Sequence, residues 1–396
     1  MNFSQKPNFS SSPNGFTPQV EQKWWDRFVS QPHQLFFSSA IVFSIIVMLL
    51  TFLSFIGKSS LDFSLIHGFG LNYLVFTNAF LGFMITVMPK FNASQIISKE
   101  IYIKPWIVFQ IGAIFALFGF ALIGKILVAL VMLYFVKIFY TTIKIGKAEF
   151  KKDSIFMNLV FLFGVVFLLI EVTSGVNLSL LIFFAYLVSL VFLVAQRMVP
   201  AFYASYKQEL IWQKPTYIRE IAVVIFLSLG LAIELESIFL MKIVSFVAML
   251  FSSYIIFNLN IYKKTPAIIS ILVVAFVWLE IGFIVLFVES IFEIYTLKLA
   301  LHIFALGFVA TLLIGFGSRV VMGHAVPSQK IHADKLTQFV FVLTQVLVVS
   351  RIVASLLALG SSAVFMGFLH LSSMLWIVLF IIWSFRYAKT LFRINS

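Results

Sequence analysis

With six histidines and no cysteine in 396 residues, imidazole is the main donor this chain can offer a transition metal. The lack of cysteine excludes disulfides, thiolate metal sites, iron–sulfur clusters and thioether-linked c-type haem. A metal or haem would have to be held by His, Met, carboxylate or carbonyl groups. One apolar stretch, HIFALGFVATLLIGFGSRVVMGH (residues 302–324), carries a histidine at each end and Arg319 just inside the second. On a helix those histidines stand about 33 Å apart, so they serve opposite membrane faces and cannot share one site.

The elements that position these groups follow from composition. The chain is 62% hydrophobic and 11% charged, with 49 Phe. A soluble fold could not cover so much apolar surface, so the solvent is lipid. The net charge of +13 does not point to nucleic acid, because the basic residues lie between apolar runs and read as orientation signals. Runs long enough to span fall near 36–56, 63–89, 105–123, 124–144, 155–173, 178–199, 219–239, 241–260, 267–288, 297–323, 335–357 and 365–386. They predict an all-α bundle of about twelve spanning helices, with residues 35–396 as one transmembrane domain. Residues 1–34, rich in Ser, Asn, Gln and Pro, predict a mobile tail with an interfacial anchor at Trp24-Trp25-Asp26-Arg27. They do not resemble a secretory signal. Most Lys and Arg fall in the tails and in the loops after even-numbered runs. The opposite side holds only Lys58, Lys125, Lys242 and Lys298, beside acids such as Asp62, Glu171, Glu234, Glu289 and Glu293. Both termini are therefore expected in the cytoplasm.

That topology sorts the histidines. His33, His324 and His332 fall on the cytoplasmic side. His67, His302 and His370 each lie a few residues inside the outer end of an inward-running helix, roughly 6–9 Å below the surface. Imidazoles from facing helices are how bundles hold haem or metal, and a lone polar group in lipid is costly. The three either share a ligand or each meet water or a backbone carbonyl near the interface. Arg319 and His324, at the other end, could grip an anionic group such as a haem propionate, or mark an ordinary helix end. Gly307, Thr311, Gly315, Arg319 and Gly323 recur every four residues, which predicts a packing seam. Glu280 and Arg351 are expected to form an intramembrane ion pair. Asn78, Gly82 and Thr86 extend the His67 face, as a polar path or as interhelical hydrogen bonds. A weak internal repeat, H-x-F-[GA]-L, joins residues 67–71 to 302–306.

HGFGLNYLVFTNAFLGFMITVMPK (67–90), RMVPAFY (197–203) and residues 302–324, with Trp376 and Tyr387 in the last run, together resemble the NnrS family. The segment SQPHQLFF (30–37) is similar to that family's S-H-P-F-R-P-F-F motif. The resemblance implies a twelve-helix protein of the bacterial cytoplasmic membrane, with non-covalent haem and copper, linked to nitric oxide metabolism and nitrosative stress. His67, His302, Arg319 and His324 stand where the family has the same residues. Phe69 and Gly70 replace the His and Glu of its W-H-x-H-E motif, Ile66 replaces the Trp, and Gln31 takes the place of the N-terminal His. The loss at position 69 weakens the case for copper more than for haem, and His370 is the candidate to make it good. The resulting expectation is haem on His67, His302 and His370, with nitric oxide as a ligand. Occupancy should fall in acid, because neutral imidazole is the ligating form. A secondary transporter with a polar path through the bundle is the competing reading.

Overall fold

The computed structural model describes residues 23–59, 61–207, 214–259, 264–294, 296–360 and 362–394. Most of the expected N-terminal tail lies outside the described residues. Among them the chain is helical throughout: α1 (Trp24–Phe28), α2 (Pro32–Phe55), α3 (Ser64–Phe91), α4 (Lys99–Leu117), α5 (Ala121–Ile145) and α6 (Lys152–Ser174). There follow α7 (Ser179–Lys207), α8 (Ile218–Glu234), α9 (Ile238–Asn258), α10 (Ala267–Phe292), α11 (Leu299–Gly323), α12 (Lys335–Leu357) and α13 (Ser362–Leu391).

Eleven of these helices are long and apolar enough to cross a membrane. The twelfth expected span, α8, has 17 residues. At 1.5 Å per residue it covers about 26 Å, short of a ~30 Å hydrocarbon core. It ends early because Leu235–Glu236 turns the chain, with Glu236 at φ 51. α4 begins before the expected Pro105, which sits in its second turn, and Gly119 at φ +97 closes it. The two ends of the described chain meet, since Trp24 Nε1 donates to the Phe392 carbonyl at 2.8 Å. The chain therefore crosses the bundle an even number of times.

Helices α3, α7 and α11 form the centre. Their most apolar windows are 89%, 89% and 72% buried, against 33% for α4 and 22% for α9. They recur at intervals of four helices, and each contains a π-wound stretch: Ser64–Thr77, Phe183–Val188 and Ile303–Ala310. Each stretch ends at a hydroxyl that donates to the carbonyl five residues back: Thr77 to Asn72 at 2.8 Å, Ser189 to Phe184 at 3.1 Å and Thr311 to Leu306 at 3.0 Å. Such windings are rare and concentrate at functional sites. The repeat seen between 67–71 and 302–306 thus falls on two of three equivalent helices. Thr77 Oγ1 and the Tyr186 hydroxyl meet at 2.7 Å, tying α3 to α7, and Phe184 packs edge-on against Phe304, tying α7 to α11. The expected small-residue seam is present on α11. A Cβ at Gly307 would come within 2.6 Å of Trp278, and one at Gly315 within 2.5 Å of Leu272, so α10 lies directly against that face.

Candidate functional site

A cavity of about 770 Å³ opens among α2, α3, α7, α11, α12 and α13, near the first turns of α3 and α11. That is the size of a cofactor pocket, roughly 300–1,000 Å³. Its walls are mostly apolar and aromatic, with Phe76, Phe183 and Trp376 prominent. Asn72 Nδ2 donates to the Ser179 carbonyl at 3.3 Å, and Gly68 lets α3 close on Ser179. Trp376 is fixed by its indole N–H on the Ser44 carbonyl at 3.0 Å.

His67 and His302 face each other across this space, with ring centroids 6.4 Å apart. Their environments differ. The Nδ1–H of His302 donates to the Lys298 carbonyl at 2.7 Å, which leaves Nε2 as the nitrogen with a free lone pair. This is the backbone tether typical of a ligating imidazole. The Nδ1 of His67 is buried with no hydrogen-bond partner, and the ring stacks on Phe63 at 5.2 Å. The two rings are tilted by 36° to each other, close enough that both would reach one group held in the cavity.

His370 does not join them. Cavity-facing residues on α13 are Phe365, Met366, Leu369, Ser372, Ser373 and Trp376, a helical stripe, and His370 lies about 100° round from Leu369. Its ring packs edge-on against Phe52 at 5.3 Å, and its Nε2 is buried without a partner. Among the described residues no three His or acidic groups gather closely enough to hold a metal ion. Phe69 also points elsewhere, tilted against Tyr73 and beneath Lys125.

Arg319 and His324 sit at the far end of α11. The Arg319 guanidinium lies over Phe202 at 3.8 Å, while His324 turns to His33 and Lys90. They therefore do not grip one common group, and both are a full helix length from the cavity. The cations at the cavity are Arg351 and Lys298. The expected Glu280–Arg351 pair does not form. Glu280 accepts from Ser252 and from Ser253 of α9, and Arg351 donates to Ser355 at 2.6 Å on the cavity side. Arg351 could have been placed here from its depth in the last-but-one run, and Lys298 from its position one turn before His302. Asn78 lies outside the cavity lining. Its amide bonds Leu74 and receives Gln110 of α4, so it joins helices.

The search of curated proteins returns no significant match. The family model described as NnrS protein matches residues 27–394, nearly the whole chain, and takes in both histidine-bearing central helices; the protein belongs to the NnrS family.

Proposed function

We propose that the cavity would hold a non-covalent haem through His302 and His67, in a membrane protein that handles nitric oxide or nitrosative stress. The observation that carries this reading is the 6.4 Å spacing of two imidazoles across a 770 Å³ cavity. Three further features support it. The buried Nδ1 of His67 is an orphan polar atom, costly in lipid unless something meets the ring. Arg351 and Lys298 supply cations for the two carboxylates such a group carries. The aromatic walls suit a flat macrocycle. Bound haem iron supplies a centre to which a diatomic gas can coordinate.

The two histidines have unequal tasks in this reading. His302 is held in orientation by the Lys298 carbonyl and is the permanent anchor. His67 has no such tether, so it would hold the group less firmly than His302. For copper, the described residues bring two imidazoles to this cavity and no third, so metal analysis of the purified protein decides that part.

The test is a visible spectrum and haem assay of the detergent-purified protein. A Soret band is expected in the wild type, abolished in His302→Ala, reduced and shifted in His67→Ala, and kept in His370→Ala. A colourless wild type after growth with ample haem would turn the reading toward the transporter.

A further inference from the structure

At the end of the bundle opposite the cavity, nitrogen groups gather without a carboxylate among them in the described residues. His33, in the first turn of α2, is 2% exposed, and its Nδ1 has no hydrogen-bond partner. α2 presses closely on α3 here, since a Cβ at Gly82 would lie 3.1 Å from the His33 Cα. The His33 ring stands 5.1 Å from that of His324, just past the end of α11. His324 is oriented by α11 itself, with Nδ1–H donating to the Val320 carbonyl at 2.9 Å. Its remaining nitrogen accepts from Lys90 Nζ, at the end of α3, at 3.2 Å. Three separate helices thus bring an ammonium and two imidazoles to one point.

Three of the acids at this end are paired elsewhere. Asp153 binds Arg197, Lys214 and Arg219, Asp334 binds Arg386, and Asp26 binds Lys99. Burial, and after it the charges of Lys90 and Arg393, hold the His324 imidazole below its ordinary range despite the Val320 carbonyl. A lone lysine at a helix end is an ordinary orientation signal. This one is docked on an imidazole beside a second, buried imidazole nitrogen with nothing to bond. Lys90 itself is exposed, and the member that burial penalises is His33, whose Nδ1 lacks a partner. A metal cation is disfavoured, because the nitrogen of His324 that would ligate already faces an ammonium.

We propose that His33, Lys90 and His324 form a binding site for a phosphate group, borne either by a small solute or by an anionic lipid headgroup. Lys90 supplies the charge, His33 Nδ1–H a buried donor, and His324 holds the ammonium in place. The chemistry needs hydrogen-bond donors and positive charge in a partly desolvated setting, which is where charge-assisted bonds are strongest.

Two arms of one experiment test it on delipidated full-length protein in a non-ionic detergent. In the first, inorganic phosphate is titrated at constant ionic strength against chloride, and tryptophan fluorescence follows thermal unfolding. In the second, phosphatidylglycerol is added and adducts are counted by native mass spectrometry. Stabilisation by phosphate and not by chloride supports a solute. Saturable one-to-one binding of phosphatidylglycerol alone supports a headgroup. Either response should weaken about tenfold in Lys90→Gln, the size expected for one hydrogen bond to a charged group, and not in Lys137→Gln, a control on the exposed face of α5. His33→Asn, which keeps a donor near the same place, should weaken it less than His33→Leu. No response in either arm overturns the proposal even if every variant misfolds, because both arms read the wild type. So does stoichiometric copper or zinc binding that phosphate leaves unchanged and His33→Asn abolishes.

Discussion

The two ends of α3 and α11 are built from the same pair of helices and do opposite things. At the start of both helices, π-wound backbone and Gly68 accompany a wide cavity, and two histidines face each other with room between them. At the other end Gly82 brings α3 against α2, and His33, Lys90 and His324 gather. One pair of imidazoles borders a cavity of about 770 Å³. The other is crowded by an ammonium. Histidine count alone says nothing about this difference. Close helix contacts at glycine occur at both ends, at Gly68 and Gly307 as well as Gly82, whereas the π-wound stretches accompany only the cavity.

The largest expected effect separates the ends directly. His302→Ala should abolish haem loading, whereas His324→Ala should leave the Soret band intact, as read by pyridine haemochrome assay on equal amounts of protein. Loss in both would mean the ends are not independent. Next, Gly307→Val should force α10 from α11 at Trp278, destabilising the bundle by about 1–3 kcal/mol as overpacking does. A lowered midpoint in detergent, with haem loading reduced in parallel, would show that the seam positions His302. Arg351→Gln should speed haem transfer to an acceptor apoprotein about tenfold, the size of one charge-assisted hydrogen bond. An unchanged rate would remove Arg351 from the site.

The smallest effect concerns pH and the start of α12. Burial pushes the Asp334 carboxyl up, but the Thr337 amide and Arg386 outweigh it and bring it down to about 2. A carboxyl depressed on folding stabilises above its unfolded value, near 4, and that stability is lost as pH falls toward 2. Asp334→Asn keeps the cap and removes the charge, so it should cost only about 0.2–1 kcal/mol at neutral pH, as exposed ion pairs do. The variant should also lose part of the wild type's fall in midpoint between pH 4 and pH 2.

Much of this was legible in the sequence because lipid imposes length and polarity so strictly. Eleven spans, the α11 seam and the depth of His67 and His302 all follow from run length, charge position and a four-residue spacing. The expected run 219–239 carries on across Glu234-Leu235-Glu236-Ser237, yet this polar stretch is where α8 ends and the backbone turns. The separation of His370 was not legible, since depth fixes height in the membrane and leaves rotation about the helix axis open. Arg351 was visible as an intramembrane charge, yet its partner was not, because two serines on α9 satisfy Glu280 as well as a guanidinium would. The π-wound stretches leave no composition signal beyond a Ser or Thr at their ends.

The most direct measurement is the electron paramagnetic resonance spectrum of the oxidised, haem-loaded protein, beside His67→Gly with and without added imidazole. The wild type should show a six-coordinate low-spin ferric haem with two imidazole ligands. His67→Gly should turn high-spin and return to low-spin when imidazole is supplied. A high-spin wild type, or a low-spin signal that survives unchanged in His67→Gly, would contradict haem binding by residues 67 and 302 together.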